Sequence, residues 1–226
     1  MLRVIIQAAG EQKRWANYRG LPKHFLQIDG KPLLNRMIDQ AKRYTKDIYV
    51  VGPDIRYKIQ GCGLLVPENQ PEWFDTASFM SSQALWSDER TVILAGDVYY
   101  TEQAIKLIFE HDEEWRWVAR LTPSSFTGCS YKETFGLNFA RSYNETLKYY
   151  LDLIAKAEIK KLANYVLMHY MTGQTISKAR ILADVLKMDS PFVKHLDDWT
   201  EDFDFPRDIE AWEENRKIHL ERGQSW

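Results

Sequence analysis

Three short runs of apolar, largely β-branched residues set the main constraint on this chain: Val4-Ile5-Ile6, Ile48-Tyr49-Val50-Val51 and Val92-Ile93-Leu94. Each is too short for a helix, and each gives way within a few positions to glycine or other small residues. Consecutive apolar positions bury both faces of a strand, which is what a parallel sheet covered by helices on both sides requires. Read in order, strands are predicted at 3–9, 47–51, 91–95 and 115–121, with helices at 33–44, 76–86 and 102–110 between them. Leu33, Leu34, Met37, Ile38, Ala41 and Tyr44 recur at helical spacing behind Pro32, a residue suited to a first turn. This alternation predicts βαβ units, and hence an α/β protein with a mostly parallel central sheet and helices on both faces.

The pattern changes after Pro123. Residues 124–130 read as a loop, 134–140 as a strand, 143–170 and 177–188 as helical, 191–193 as extended and 206–219 as a closing amphipathic helix. The stretch 123–191 has few large aliphatic residues with which to build a core of its own. It is read as a largely helical insertion on a single domain spanning 1–226. Such an insertion suits an acceptor-binding surface or a contact between copies in a homo-oligomer, and helical pattern alone does not choose between them.

Charge narrows the partners. Lys and Arg total 30 against 32 Asp and Glu, a formal net charge of -2, so there is no global field for capturing nucleic acid or an anionic membrane. No apolar run approaches the ~20 residues a membrane helix needs, and the N-terminus lacks a secretory pattern. Cys62 and Cys129 are too few for a disulfide framework or a cysteine-ligated zinc. A cytoplasmic enzyme or binding protein is expected. The five histidines show no metal-ligand spacing, Cys129 has no activating neighbour, and the eight tryptophans are assigned to packing rather than to base stacking.

Ligands of open α/β sheets bind beyond the carboxyl ends of the strands. After the first strand the chain reads Ala8-Ala9-Gly10-Glu11-Gln12-Lys13-Arg14-Trp15, then Pro22-Lys23-His24. Small residues admit a phosphate or base close to the backbone, and Arg14 and Lys23 are cations able to converge on phosphate oxygens. A second feature is Gly96-Asp97, directly beyond the strand at 91–95. Asp97 suits either Mg²⁺, which takes one or two carboxylates plus phosphate oxygens, or a turn before the next helix. A third is Asp202-Phe203-Asp204-Phe205-Pro206-Arg207-Asp208. Helix capping accounts for Asp208, while Asp202 and Asp204 leave room for a second metal carboxylate.

Together these segments resemble the nucleotidyltransferase superfamily of glycosyltransferase-A fold, which includes sugar-phosphate and MobA-like members. The family opening, a strand followed by A-A/G-G-x-G-x-R-M/L and a later P-K, matches Ala8, Ala9, Gly10, Arg14, Pro22 and Lys23. The run from His24 to Leu34 is similar to the family's P-K-x-L-L-x-I-x-G-K-P-L-L continuation. The family's metal aspartate matches Asp97, and its second metal position matches Asp204. The resemblance covers roughly residues 1–122 and 192–212.

The resemblance implies transfer of a nucleotidyl group from a nucleoside triphosphate to a phosphorylated small-molecule acceptor such as a sugar phosphate, with pyrophosphate released. Mg²⁺ or Mn²⁺ would sit on Asp97 and Asp204, with Arg14 and Lys23 as catalytic cations. Ala8, Ala9, Gly10, Asp75, Thr76, Ser78 and Gly96 would contact the nucleotide. Lys132, Glu133 and Arg141, in or beside the loop-rich part of the insertion, are the acceptor-site candidates. Three positions depart from the pattern. Gln12 replaces the second glycine and should stiffen the loop, Trp15 replaces a smaller residue and should narrow the pocket, and Phe205 replaces a small hydroxyl residue before Pro206. Two other classes remain: a glycosyltransferase of the same fold, disfavoured because Asp97-Val98-Tyr99 lacks the second acid of D-x-D, and a non-catalytic nucleotide-binding module.

Overall fold

Val4, Ile5 and Ile6 are completely buried in β1 (Leu2–Gln7), the interior strand around which the sheet is organised. The computed structural model describes residues 1–10, 12–67, 79–159, 163–173 and 190–222. A hairpin of β2 (Gln27–Ile28) and β3 (Lys31–Pro32) leads into α1 (Leu33–Ala41), then β4 (Ile48–Val51) and β5 (Gly63–Leu65). β6 (Arg90–Ala95), β7 (Val98–Tyr99), α2 (Glu102–Phe109), β8 (Trp115–Arg120) and β9 (Glu133–Ala140) follow. Among the described residues the further helices and strands are α3 (Asn144–Lys156), α4 (Ala163–Met171), β10 (Val193–His195), β11 (Glu201–Asp202) and α5 (Pro206–Glu221).

Seven strands form the main sheet in the order β10-β8-β9-β6-β1-β4-β5. β1 runs parallel to β4 and β6, β4 to β5, and β8 to β10, whereas β9 is antiparallel to both β6 and β8. The sheet is therefore mostly parallel with one reversed strand inside it. Successive side chains of β1 enter opposite layers. Val4 and Ile6 pack with Leu34, Met37 and Ile38 of α1 and with Ile105 and Ile108 of α2. Ile5 packs on the other face with Leu147, Leu151 and Ile154 of α3 and Val166 and Leu167 of α4. Burying each such side chain contributes about 1.5–3 kcal/mol, which is why the consecutive apolar run commits this segment to the middle of the sheet.

Three expectations change. The helical stretch at 143–170 is two helices, with Glu158 at φ 53° just after α3. One helix of that length would reach about 42 Å, past a sheet whose longest strand has eight residues. The helix expected at 76–86 is helical only at 79–81 among its described residues and then tightens into a 3-10 turn, Gln83–Leu85. The helix expected at 177–188 lies outside the described residues. The β2–β3 hairpin adds an element: Asp29 (φ 52°) and Gly30 (φ 73°) supply the paired left-handed residues of a two-residue turn.

A third apolar cluster joins the two ends of the chain. Trp15, Leu26, Ile28 and Leu33 pack with Tyr99, Trp199, Phe203, Ile209 and Trp212. Among the described residues no helix is long and apolar enough to cross a membrane.

Candidate active site

β1 and β6 are neighbours whose onward connections leave in opposite directions, toward β4 on one side and β8 on the other. A switch of this kind opens a crevice beyond the carboxyl ends of the strands. Ala8, Ala9 and Gly10 leave β1 at that edge, and Gly96 leaves β6 beside them. The Gly96 N–H donates to the Gln7 carbonyl at 2.8 Å. A Cβ at position 96 would stand 2.6 Å from that oxygen and 2.9 Å from the Ala8 Cβ, so small residues at 8 and 96 let the strand ends close together. Asp97 follows directly. The turn that carries it is fixed by Tyr100, whose hydroxyl accepts from the Ala95 N–H at 3.0 Å and donates to the Phe135 carbonyl.

The acids from the far end of the chain reach Asp97 through a two-stranded ribbon. β7 pairs antiparallel with β11, Tyr99 opposite Glu201 and Val98 opposite Asp202, and the Phe203 N–H donates to the Asp97 carbonyl at 3.2 Å. One carboxylate oxygen from each of Asp97, Asp202 and Asp204 then lies within 4.8 Å of the other two. Lys23 is buried at their centre, its ammonium bonded to Asp97 and 3.3 Å from Asp204 Oδ1. Arg14 pairs with the second oxygen of Asp204.

The electrostatics follow from this packing. Burial alone would lower the pKa of Lys23, but Asp97, Asp202 and Asp204 outweigh it and hold the ammonium above its ordinary value. Burial favours neutral Asp97, and Lys23 overrides that, keeping the group below the usual carboxylate range. Asp202 goes the other way: burial and then the Asp97 and Asp204 charges push it well above that range, and Lys23 only partly offsets them. Beside Lys23, burial holds the imidazole of His24 neutral, with its pKa lowered to about 4.

Beneath this cluster is an ion pair that the sequence reading did not single out. Arg120 and Glu201 are both completely buried and make two parallel hydrogen bonds of 2.9 Å. The Thr127 hydroxyl also bonds Glu201, and Arg120 donates to the Thr200 carbonyl at 3.2 Å. The available signal was an arginine closing the tryptophan-rich strand β8, which reads as a solvated strand end until its partner is known. Asp202 belongs to the acid cluster on equal terms with Asp204.

Of the acceptor-site candidates, Glu133 opens β9 opposite Arg120. Burial, together with Asp204 and Glu201, raises its acid well above the usual range. Lys132 precedes it, half-buried at the same edge, with its pKa lowered by burial. Arg141 is not brought to this edge. It stands exposed beyond the opposite end of β9, its N–H bonded to the Glu89 carbonyl at 2.7 Å. Asp75, Thr76 and Ser78 lie outside the described residues.

A sequence model of the MobA-like NTP transferase domain matches residues 4–148. The chain belongs to the MobA-like NTP transferase family. No curated protein matches it significantly. Among solved structures it is similar to CTP:phosphocholine cytidylyltransferase from Streptococcus pneumoniae, at 15% identity over 94% of this chain and 98% of that one, TM-score 0.59. It is also similar to the inositol-1-phosphate CTP transferase from T. maritima, at 17% identity over 100% and 98%, TM-score 0.57. A third is 2-C-methyl-D-erythritol 4-phosphate cytidylyltransferase from Thermus thermophilus, at 14% identity over 95% and 98%, TM-score 0.57. At such identities the likeness establishes a shared fold. The family match ends before the segment bearing Asp202 and Asp204.

As a MobA-like NTP transferase, this chain departs from pattern at positions whose environments are now visible. Trp15 does not narrow the pocket. It is 1% exposed within the third apolar cluster, and its indole N–H donates to the Leu21 carbonyl at 3.0 Å. Phe205 presents its ring to two guanidinium groups, Arg14 at 5.4 Å and Arg207 at 4.5 Å. Its backbone N–H is satisfied by the Asp208 carboxylate at 2.6 Å, the capping role expected of Asp208. The donor set fits a hard divalent cation such as Mg²⁺ or Mn²⁺: three converging carboxylates, with Asp202 Oδ1 buried and without a hydrogen-bond partner.

Proposed function

We propose that the protein transfers a nucleotidyl group from a nucleoside triphosphate to the phosphate of a small phosphomonoester, releasing pyrophosphate. The observation carrying this reading is the convergence of Lys23 and Arg14 on the Asp97–Asp202–Asp204 cluster at the β1/β6 crevice. An acceptor phosphate oxygen is already anionic near neutrality, so in-line attack on the α-phosphorus needs no general base. What the protein must supply is positioning and charge stabilisation. Arg14, with 58% of its side chain exposed, exchanges Asp204 for triphosphate oxygens. Lys23, held on a buried turn, neutralises the transferring group. A divalent cation on Asp97, Asp202 and Asp204 would supply further charge neutralisation at the α-phosphate and the leaving oxygens. Ala8, Ala9, Gly10 and Gly96 border the triphosphate. Asp75, Thr76 and Ser78 remain the base-side candidates, and Lys132 and Glu133 those for the acceptor.

A sugar phosphate as acceptor would make the product a nucleotide sugar, formed in the cytoplasm, where Cys62 and Cys129, both unpaired here, stay reduced. The test is a matrix of the four triphosphates against sugar 1-phosphates and other small phosphomonoesters with Mg²⁺, reading pyrophosphate. CTP goes first, because the three similar structures are named for transfer from CTP or of cytidylyl groups. Lys23→Ala and Asp97→Ala are each expected to abolish turnover while circular dichroism stays native. Near-normal activity in either variant overturns these roles, and triphosphate binding without turnover across the matrix favours a non-catalytic module.

A further inference from the structure

The turn that projects Lys23 begins without a cap of its own. It is a 3-10 turn, Lys23–Phe25, preceded by Pro22, which has no side chain able to accept a hydrogen bond. The first N–H groups of any helical turn are orphaned donors. Here the Lys23 N–H is satisfied from eleven residues upstream, by Gln12 Oε1 at 2.8 Å. The same amide reaches Tyr57, Gln12 Nε2 to Tyr57 Oη at 3.2 Å, and that hydroxyl lies 2.9 Å from His24 Nδ1. Tyr57 is fully buried and His24 is 2% exposed.

The orientation of the Gln12 amide is set by one backbone N–H. It can only donate, so Gln12 presents its oxygen to Lys23 and its NH₂ to Tyr57. The Tyr57 hydroxyl then accepts from Gln12 and shares a hydrogen bond with His24 Nδ1, the tautomer of His24 setting which of the two donates. The side chain standing where the sequence pattern led us to expect glycine thus has two partners of its own.

We propose that Gln12 is a positioning residue: its side chain clamps the Lys23 turn to the phosphate-side loop and, through Tyr57, to the segment after β4. This rests on the reading of Lys23 as a phosphate-binding cation. The loop that carries Arg14 and the turn that carries Lys23 then move as one body, which sets the spacing of the two cations. Glutamine is the side chain that serves. Asparagine is one methylene short, and glutamate caps Lys23 but lacks the N–H that glutamine donates to Tyr57.

Two measurements test this on the full-length protein. Amide hydrogen exchange followed by NMR reads the clamp itself. The Lys23 amide should exchange about tenfold faster in Gln12→Ala, the value of one ordinary hydrogen bond. Unchanged exchange overturns the clamp. Calorimetric binding of inorganic tripolyphosphate, a probe without a base, reads the positioning role. Gln12→Ala should weaken it about tenfold in the native background and leave it unchanged in Lys23→Ala. Equal weakening in both backgrounds overturns positioning in favour of a general structural role, as does unchanged affinity despite faster exchange. Gln12→Glu should keep the slow Lys23 amide yet lose affinity. If the native protein binds no tripolyphosphate, the functional reading fails, and the exchange measurement still decides the clamp.

Discussion

Replacing Glu201 by Gln leaves the volume of the side chain unchanged and removes one charge from a pair with no solvent contact. Arg120 cannot shed its proton, so its guanidinium would remain charged in the protein interior opposite a neutral amide. Removing one partner of a buried pair typically costs about 3–5 kcal/mol. For a chain of this size each kcal/mol moves the melting temperature by about 2–4 °C, so Glu201→Gln should melt about 6–20 °C lower. Arg120→Met strands the carboxylate and should cost a similar amount. The double variant Arg120→Met/Glu201→Gln removes both charges. What remains is the Thr200 carbonyl and the Thr127 hydroxyl with poorer partners, at about 1–3 kcal/mol. The coupling energy in the double-mutant cycle should therefore exceed about 3 kcal/mol. Urea denaturation of the four proteins gives the cycle directly, with the midpoint rather than the slope expected to move. Additive single and double effects, or a loss below about 1 kcal/mol for Glu201→Gln, would show that Arg120 and Glu201 are not coupled as a buried ion pair.

Other outcomes follow from the same structure. Trp15→Ala opens a large void in the third apolar cluster and should cost about 3–5 kcal/mol in urea denaturation; a loss under about 1 kcal/mol would mean that this cluster does not anchor the loop. His24 is buried neutral with a pKa of about 4 against an unfolded value of about 6.5, so the unfolded state takes up the proton first as pH falls. Its stabilisation is complete above about pH 6.5 and is lost toward about pH 4, about 3 kcal/mol in all. His24→Gln should flatten that part of the stability–pH curve, and an unchanged slope would refute the assignment. Chelation should stop pyrophosphate release and Mg²⁺ should restore it. Mg²⁺ at about a hundredfold excess over its dissociation constant should stabilise the native protein by about 2.7 kcal/mol, and Asp202→Asn should abolish most of that shift in a thermal melt.

What the sequence disclosed divides along a physical line. Strands at β1, β4, β6 and β8 and helices at α1, α2 and α5 were legible because each carries its own periodicity or its own continuous apolar run. The place of Asp97 just beyond a strand end was legible because β6 carries its own apolar run. The reversal of β9, the ribbon of β7 with β11 and the Arg120–Glu201 pair were not, since each is specified by a partner distant in the chain. Trp15 was misread for the same reason, and the side-chain bonds of Gln12 were missed. Judged within their own loop they obstruct a pocket and stiffen a backbone, whereas Trp15 lies in one buried cluster with Trp212 and Gln12 accepts from the Lys23 N–H. Arg141 failed in the opposite sense: it is near Glu133 in sequence, but a whole extended strand carries it to the other edge of the sheet.

The phosphate-side loop also explains why the last helix matters to a site that opens at the first strand. Ala16, Asn17 and Arg19 all hold left-handed backbone, at φ 50°, 55° and 55°. Non-glycine residues there cost about 1–3 kcal/mol each and persist only where surrounding contacts fix them. Those contacts are on α5: Tyr18 bonds Glu210 at 2.7 Å, Arg19 pairs with Glu213, and Trp15 packs in one cluster with Ile209 and Trp212. The Arg19 and Glu213 side chains are 39% and 42% exposed, and their pair contributes at most about 1 kcal/mol, so the buried aromatic cluster carries most of the strain. The family match ends at residue 148. Yet the segment beyond it supplies two of the three clustered carboxylates and the helix that holds Arg14's loop in shape. Acid delivery and loop bracing come from the same few turns of chain, so a change in α5 that loosens the loop should also displace Asp204, and the two effects should appear together.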